Sequence, residues 1–281
     1  MIQNVFSHPE ADSRLCVPYT VTDAQAQAFQ HDGHVLLRGV CSPEEIAEFR
    51  PVINAATERF KTEIRPMEER DTYGKAFLQI MNLWERDLEV RKFVLASRFA
   101  GIAARLLGVP SVRLYHDQAL YKEPHGGHTP WHQDQYYWPL DTQGTQTLTM
   151  WMPLVDVSLD MGALTFASGT HIDGFMGHIK ISDESEAVFE SHVKEKGFPI
   201  AQQAMKAGDA TFHSGWTLHC APGNASDTMR EVMTIIYFAD GIKVLEPDNQ
   251  NRVDDLNTWL PGAKPGEPAA SPLNPVLYKV G

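Results

Sequence analysis

The chain has 281 residues, of which 43% are hydrophobic and 21% are charged, a composition typical of a globular protein. Lys and Arg together number 24, whereas Asp and Glu number 36, which gives a formal net charge of −12. This acidic balance argues against nucleic acid as the main partner, because binding to phosphates requires a basic surface.

Cysteine usage and hydrophobicity bear on the compartment. The three cysteines, Cys16, Cys41 and Cys220, show no paired spacing, which predicts a reducing environment without disulfides. The start, MIQNVFSHPE, has no apolar signal-peptide region, and no apolar run approaches the ~20 residues that span a bilayer. We therefore expect a soluble cytoplasmic protein without a membrane partner. The sequence leaves a homo-oligomer open.

The first part of the chain, about residues 20–107, is predicted to be helical. Thr22 and Ser42 each start a capping-box pattern, with Gln or Glu three residues later. The short apolar segment HVLLRGV between them predicts a strand. Pro51 is expected to kink or end the second helix. Apolar spacing predicts a further helix over about residues 87–107.

From about residue 110 to 240 the hydrophobic period changes to two, which indicates strands separated by turn residues. A helical insertion, SDESEAVFESHVKEKG, interrupts them. Residues 241–281 are rich in Pro and Gly toward the end and predict an irregular strap rather than a strand. We expect one domain over residues 1–281, mainly β with flanking helices packed on a barrel or sandwich. The predicted strands are VRLYHDQALYKEP, TPWHQDQYYW, QTLTMWMPLVDV, GALTFAS, DATFHS and REVMTIIYFAD.

A candidate metal site begins at His132 and Asp134. Side chains two residues apart on a strand point to the same face, so these two project together. Two imidazoles and one carboxylate form the ligand set of a non-haem Fe(II) site with open coordination positions. His213 and His219 compete for the third position. His219 is favoured because it directly precedes the turn that brings back Arg230.

Arg230 is the candidate anion-binding residue. The turn-rich segment CAPGNASDTM lies between His219 and Arg230 and predicts a hairpin. Arg230 begins a strand face that continues with Val232 and Thr234, and an unpaired buried charge on such a face would be costly. A bound dicarboxylate would provide the partner. The alternative is an arginine at the barrel rim that pairs with an acidic side chain of the protein.

Two further sets of residues have open interpretations. His116, Gln118 and Lys122 share one face of VRLYHDQALYKEP, which is either a ligand surface or a solvated outer face. A second set either lines an apolar substrate pocket or belongs to the core. Its members are Tyr136, Tyr137, Met150, Met152 and Phe175.

Taken in order, these motifs resemble the phytanoyl-CoA dioxygenase family of Fe(II)/2-oxoglutarate oxygenases. The resemblance covers roughly Thr22 to Asp240. It rests on DGHVLLRGVCSPEEI, LYKEP, HTPWHQD, MGALTFASGTH, KAGDATFH and HCAPGNASDTMR.

The resemblance implies a fold and a set of site residues. The fold is a double-stranded β-helix, a cupin-like jelly roll with helices supporting one sheet. The resemblance implies that iron is bound by His132, Asp134 and His219, and that Arg230 binds the distal carboxylate of 2-oxoglutarate. It also places Lys122, Gln118, and Trp138 or Trp151 around that cosubstrate.

One position departs from the pattern. Many similar proteins carry a small hydroxyl residue two positions after the distal histidine, where this chain has Ala221. The corresponding hydrogen bond is either lost or supplied elsewhere, with Thr149 or Thr165 as candidates.

The activity implied is that of a dioxygenase that uses Fe(II), 2-oxoglutarate and O2. We expect hydroxylation of an unactivated C–H bond in a small organic substrate, such as a secondary metabolite, with release of succinate and CO2. Asp134 favours a hydroxylase, since similar halogenases lack the carboxylate ligand. The insertion over residues 174–203 is a candidate lid. The alternatives are a cupin-type metal isomerase and a non-catalytic ligand-binding jelly roll.

Overall fold

The structure is a computed structural model that describes residues 8–142 and 146–280. The first seven residues, on which the predicted absence of a signal peptide depends, lie outside these ranges. Within the described ranges, no helix is both long and apolar enough to cross a membrane.

The helices lie mainly before the barrel strands. Both predicted capping boxes are confirmed, because the hydroxyls of Thr22 and Ser42 each accept a backbone N–H three residues later, at 3.2 Å. The α-helices are α1 (Asp23–Asp32), α2 (Pro43–Phe60), α3 (Thr72–Ala76), α4 (Leu83–Arg86), α5 (Leu88–Val94), α6 (Ser97–Leu107), α7 (Asp183–Lys196) and α8 (Gln250–Trp259).

Two helix predictions were wrong in detail. α2 continues through Pro51 to Phe60. The proline removes one backbone donor, but Phe49 and Ile53 on the same helix are buried in the core, and this packing maintains the helix. The helix predicted over residues 87–107 is two helices, α5 and α6, because Ala96 between them has an extended backbone.

The strands form the two sheets of a double-stranded β-helix, as predicted. One sheet has the order β1-β9-β6-β11-β3-β13, with β2 also paired to β3, and the other has the order β4-β10-β7-β8. A short pair joins β12 to β5. The strands are β1 (His34–Leu37), β2 (Leu78–Met81), β3 (Ser111–Tyr121), β4 (Thr129–His132), β5 (Leu140–Asp141), β6 (Thr147–Pro153), β7 (Thr165–Ala167), β8 (Ile200–Gln202), β9 (Ala210–Ser214), β10 (His219–Ala221), β11 (Val232–Ala239), β12 (Lys243–Val244) and β13 (Val276–Lys279).

The larger sheet separates a hydrophobic core from a polar interior. Met150 and Met152 on β6 pack with α2, α5 and α6 in the main core, so they do not form a substrate pocket. The alternate residues of β6, Thr149 and Trp151, line an internal cavity. This alternation is the expected consequence of side chains pointing to opposite faces of a strand.

The strand predicted for TPWHQDQYYW is shorter than expected. β4 ends at His132, and Asp134–Tyr136 forms a 3-10 turn in which the N–H of Tyr137 donates to the carbonyl of Asp134 at 3.1 Å. Asp134 therefore projects toward His132 because of this turn and not because of strand alternation.

The C-terminal segment is also more regular than predicted. It contains α8 and the strand β13, which pairs antiparallel with β3. The last proline is Pro275, and the VLYK sequence that follows can pair with the edge of β3. The prediction that this segment contains no strand was wrong.

Candidate functional site

The three predicted metal-binding side chains meet where β4 and β10 pair. His132 lies directly opposite His219 in the register, and their ring centroids are 4.1 Å apart. Oδ1 of Asp134 lies 3.5 Å from Nε2 of His132 and 3.6 Å from Nε2 of His219. All three candidate ligand atoms lie within 4.8 Å of one another.

Hydrogen bonds to the backbone orient both imidazoles. Nδ1 of His132 is 2.8 Å from the carbonyl oxygen of Pro130, and Nδ1 of His219 is 3.0 Å from that of Thr217. Because a carbonyl only accepts, each Nδ1 carries the proton and each Nε2 keeps its lone pair. Two such nitrogens and one carboxylate oxygen fit a divalent iron ion and leave coordination positions open.

The second carboxylate oxygen of Asp134, Oδ2, is positioned by two neighbouring side chains. Oδ2 accepts a hydrogen bond from Oγ1 of Thr149 at 2.8 Å and lies 3.3 Å from Nε2 of His213. Burial alone would raise the pKa of Asp134, but the neighbouring histidines outweigh burial and hold that pKa well below its usual value. The carboxylate is therefore ionised, as a metal ligand must be.

These contacts distinguish His213 from His219. The group that could hold a metal consists of His132, Asp134 and His219. His213 lies behind the carboxylate, on the side of Thr149, with its ring centroid 4.4 Å from that of His219. The structure thus brings His219 into the ligand group and places His213 against the outer oxygen.

A cavity of about 230 Å³ adjoins the triad. Four of the five residues predicted to surround the cosubstrate line it, and these are Gln118, Trp138, Trp151 and Arg230. The fifth, Lys122, is fully buried but does not line the cavity. Its ammonium group donates to the carbonyl of Gly127 and lies 3.4 Å from Oγ1 of Thr129, which does line the cavity.

Arg230 has neutral partners only. Its Nη1 donates to the carbonyl of Gly162, its guanidinium lies 5.3 Å from the ring centroid of Trp151, and its Nε has no hydrogen-bond partner. Burial lowers the pKa of Arg230 to about 9. Among the described residues no carboxylate pairs with it, so the alternative of an acidic rim partner is not realised.

A second cation lies opposite the first. Lys122 and Arg230 face each other in an antiparallel bridge, with both backbone hydrogen bonds at 2.9 Å. Burial, and then the charge of Arg230, lower the pKa of Lys122 to about 6. Arg230 is thus a buried cation without an acidic partner, which makes this end of the cavity suited to an anion such as a carboxylate, and a bound anion would favour the charged form of Lys122.

Thr149 and Thr165 were predicted as candidates for the hydroxyl that is missing at Ala221. Ala221 lines the cavity, but Thr149 is engaged with Asp134 and Thr165 is not part of the wall. Thr149 does line the cavity, as do Thr129 and Thr234, and the hydroxyl of Thr234 donates to the carbonyl of Gln118 at 3.2 Å. Thr234 belongs to the face that the sequence already predicted to continue from Arg230.

Sequence reasoning missed most residues of another part of the cavity wall. It includes Tyr73, Gln79 and Ile181 from segments with no predicted role in the site, or only a candidate lid role. The hydroxyl of Tyr73 donates to Oε1 of Gln79 at 2.6 Å, and Nε2 of Gln79 donates to Oε1 of Gln118 at 2.8 Å. In the insertion, Ile181 lines the cavity, and its N–H donates to the hydroxyl of Tyr137 at 2.9 Å.

An irregularity in β3 changes which residues face the interior. The pairing of β3 with β11 shifts register between Ile235 and Tyr237, opposite Tyr115 and His116. His116 lines the cavity, while the ring of Tyr115 packs beside Trp138 with centroids 5.6 Å apart. A β-bulge of this kind turns two consecutive side chains toward one face. Because His116 and Gln118 both line the cavity, the polar face of β3 is a ligand surface and not a solvated outer face.

The fold and site together define a double-stranded β-helix protein with a His-Asp-His centre beside a buried arginine. The family model "Phytanoyl-CoA dioxygenase (PhyH)" matches residues 29–232, which is more than half of the chain. The chain belongs to the phytanoyl-CoA dioxygenase family. This confirms the resemblance seen in its motifs.

Individual relatives are distant in sequence. The chain is 24% identical over 152 residues to phytanoyl-CoA dioxygenase domain-containing protein 1 of Bos taurus, a match that covers 52% of each protein. The chain thus spans about half the length of this relative.

Solved structures match over almost the whole chain. The α-ketoglutarate-dependent carbocyclase SnoK from nogalamycin biosynthesis aligns with a TM-score of 0.75 and 25% identity, covering 92% of this chain and 98% of SnoK. The epimerase SnoN, in complex with Fe3+, α-ketoglutarate and nogalamycin RO, aligns with a TM-score of 0.74 and 25% identity, covering 91% and 98%. Both are named non-haem α-ketoglutarate-dependent proteins, and they share the fold of this chain.

Proposed function

We propose that this chain is a single-domain dioxygenase dependent on Fe(II) and 2-oxoglutarate. His132, Asp134 and His219 would hold the iron, and Arg230 the distal carboxylate of 2-oxoglutarate. The observation that carries the proposal is a buried arginine without an acidic partner in the same cavity as a triad of metal-competent side chains. A site that only bound a metal would not need this cation.

Of the residues proposed to surround the cosubstrate with Arg230, three line the cavity and Lys122 lies behind its wall. Trp151 stacks near the guanidinium of Arg230, and Gln118 lines the same wall. Trp138 is a third wall residue. Lys122 would act through Thr129 and not by direct contact, since its Nζ lies 3.4 Å from that hydroxyl and the residue does not line the cavity.

When bound, iron, 2-oxoglutarate and O2 supply an oxidant, with one oxygen atom going to succinate and CO2 leaving. The protein orients the reactants and keeps water away. Thr149 and His213 fix one oxygen of Asp134, so that the other oxygen faces the two histidines. Tyr73 and Tyr137 close the cavity on the substrate side.

Hydroxylation of a C–H bond in a small organic substrate is the outcome we propose. The carboxylate of Asp134 is present and lies among the other ligands, whereas a halogenase needs that position for halide. SnoK and SnoN are named a carbocyclase and an epimerase, so the fold also supports other oxidative outcomes.

Three measurements test this proposal. Adding Fe(II) and 2-oxoglutarate without oxygen should produce a weak visible absorption band, and a substrate should stimulate succinate formation. With isotopically labelled O2, a hydroxylase incorporates one labelled oxygen atom into the product, whereas an epimerase or carbocyclase product gains none. Absence of both the band and succinate would favour the metal isomerase or the binding jelly roll.

A further inference from the structure

The cavity contains a second polar region, formed by β3 and α8. His116 and Asp255 line the cavity there, and Tyr115 and Trp259 pack beside them. His116 is six residues from Lys122, so this region lies roughly 20 Å along β3 from the Lys122–Arg230 bridge. It is thus separate from the end of the cavity that suits the cosubstrate.

Asp255 has neutral partners only. Its Oδ2 accepts a hydrogen bond from the hydroxyl of Tyr115 at 2.9 Å, and Trp259 is a second donor. Burial raises the pKa of Asp255 to about 7. Arg252, one turn earlier on α8, is directed elsewhere, to Asp248 at 3.0 Å and to the carbonyl of Tyr136 at 3.1 Å.

His116 cannot neutralise this carboxylate. Its side chain is buried, and burial lowers its pKa to about 3, so the ring is uncharged near neutral pH. The ring lies between aromatic neighbours, with centroids 4.9 Å from Tyr115 and 5.0 Å from Trp259. Its Nδ1 is buried without a hydrogen-bond partner, and the residue lines the same cavity as Asp255.

A protonated amine would give Asp255 a cationic partner, and the uncharged His116 ring lines the same cavity as a further polar group. A hydroxyl could donate to Asp255 but would not stabilise its ionised form in this buried position, whereas a cation would. Tyr73, Phe77 and Tyr137 also line the cavity, and aromatic rings attract cations through their π faces. No lysine or arginine other than Arg230 lines the described cavity wall.

We propose that Asp255, assisted by His116, binds a protonated amino group of the substrate. The assignment rests on the proposed function, because it takes the molecule held here to be the one oxidised at the triad. It makes Asp255 a specificity-determining residue and narrows the substrate class to organic amines with an apolar or aromatic body.

The test compares two probes of similar shape, benzylamine and benzyl alcohol. Ligand-observed NMR on the full-length chain near neutral pH, with and without anaerobic Fe(II) and 2-oxoglutarate, gives the two dissociation constants. We expect benzylamine to bind at least about tenfold more tightly in both conditions. Asp255→Asn should remove most of this preference. Asp254→Asn, at an exposed position on the same helix, should keep it.

Equal affinity of the wild-type protein for the two probes would overturn the proposal, and so would an undiminished preference in a folded Asp255→Asn variant. The wild-type comparison needs no variant, so it decides the matter even if Asp255→Asn does not fold. Succinate formation in the same preparations separates the two proposals. An amine preference without any 2-oxoglutarate turnover contradicts only the proposed function, whereas turnover without the preference contradicts only the amine site.

Discussion

Three histidines surround one carboxylate, and their hydrogen bonds give them different roles. His132 and His219 donate from Nδ1 to backbone carbonyls and present Nε2 to the centre. His213 instead directs Nε2 at the outer oxygen of Asp134. Sequence spacing favoured His219 over His213 only through its place before the turn to Arg230, and it did not show that the two residues lie on different strands, β9 and β10. The decisive information is the direction of each ring, which depends on pairing with β4 and β6.

His213→Ala should therefore leave the iron stoichiometry near one per chain at saturation. The affinity for Fe(II) should fall by about 10- to 100-fold, as is usual when a partner of a metal ligand is removed. Anaerobic equilibrium titration with Fe(II) measures both quantities. His219→Ala is the matched comparison and should lose the bound iron. The reverse pattern would exchange the roles of the two histidines.

Arg230→Ala should raise the KM for 2-oxoglutarate by about a hundredfold, because the distal carboxylate would lose a charge-assisted, two-pronged partner. Succinate formation at varied 2-oxoglutarate concentration measures the effect, with Arg59→Ala at an exposed position as the control. Arg230→Lys should give an intermediate KM, since it keeps the charge without the planar fork. An unchanged KM in Arg230→Ala would place the cosubstrate anchor elsewhere.

At the scale of elements, the turn at Gly162 supports the arginine. Its carbonyl accepts the hydrogen bond from Nη1 of Arg230. Its φ of +78° is in the left-handed region, and an added Cβ would lie 2.5 Å from the carbonyl oxygen of Pro222. A side chain cannot be accommodated there without moving this backbone.

Gly162→Ala should consequently raise the KM for 2-oxoglutarate and lower the free energy of unfolding. Gly241→Ala is the matched control, since Gly241 has a φ of +95° but nothing near an added Cβ. The control should lose only about 1–2 kcal/mol of unfolding free energy, the usual cost of the left-handed conformation, and keep its KM. Urea unfolding and succinate kinetics measure the two effects. Equal KM values for both variants would show that the Gly162 turn does not position Arg230.

Pro51 offers a second prediction at this scale. It occupies an exposed position inside α2, where it removes one hydrogen bond without contributing to the core. Pro51→Ala should raise the free energy of unfolding by about 1–3 kcal/mol, and Ala55→Pro, at another exposed position of α2, should lower it by about 3 kcal/mol. Urea unfolding tests both. A loss of stability in Pro51→Ala would mean that the proline ring makes a contact that this helix requires.

For the whole molecule, the guanidinium of Arg230, which has no acidic partner among the described residues, links cosubstrate binding to stability. A ligand that binds only the folded chain stabilises it by about 2.7 kcal/mol at a hundredfold excess over its Kd. We expect 2-oxoglutarate with a divalent metal ion to raise the Tm, and a chelator to reverse the effect. Pyruvate, a keto acid without the distal carboxylate, should give a smaller increment. Equal increments from the two acids, or an undiminished increment in Arg230→Ala, would contradict the assigned anchor.

Much of the architecture could be predicted because it depends on local patterns. Capping residues define the starts of α1 and α2, and the period of two identifies the barrel strands. Predictions failed where tertiary contacts override a local rule. α2 continues through Pro51, and β13 forms because β3 offers an edge. No local signal in α3 or α8 indicates that Tyr73 and Asp255 line the cavity, since their place there depends on how these helices pack.

The position of α8 along the chain separates the proposed substrate-binding residue Asp255 from the residues proposed to bind iron and 2-oxoglutarate. The triad and Arg230 lie within residues 29–232, the range that matches the family model, whereas Asp255 follows that range. Different stretches of the chain therefore contain the residues proposed to bind iron and 2-oxoglutarate and the residue proposed to determine substrate specificity. If the proposed role of Asp255 is correct, we expect substitutions in α8 to change the choice of substrate more than the binding of iron.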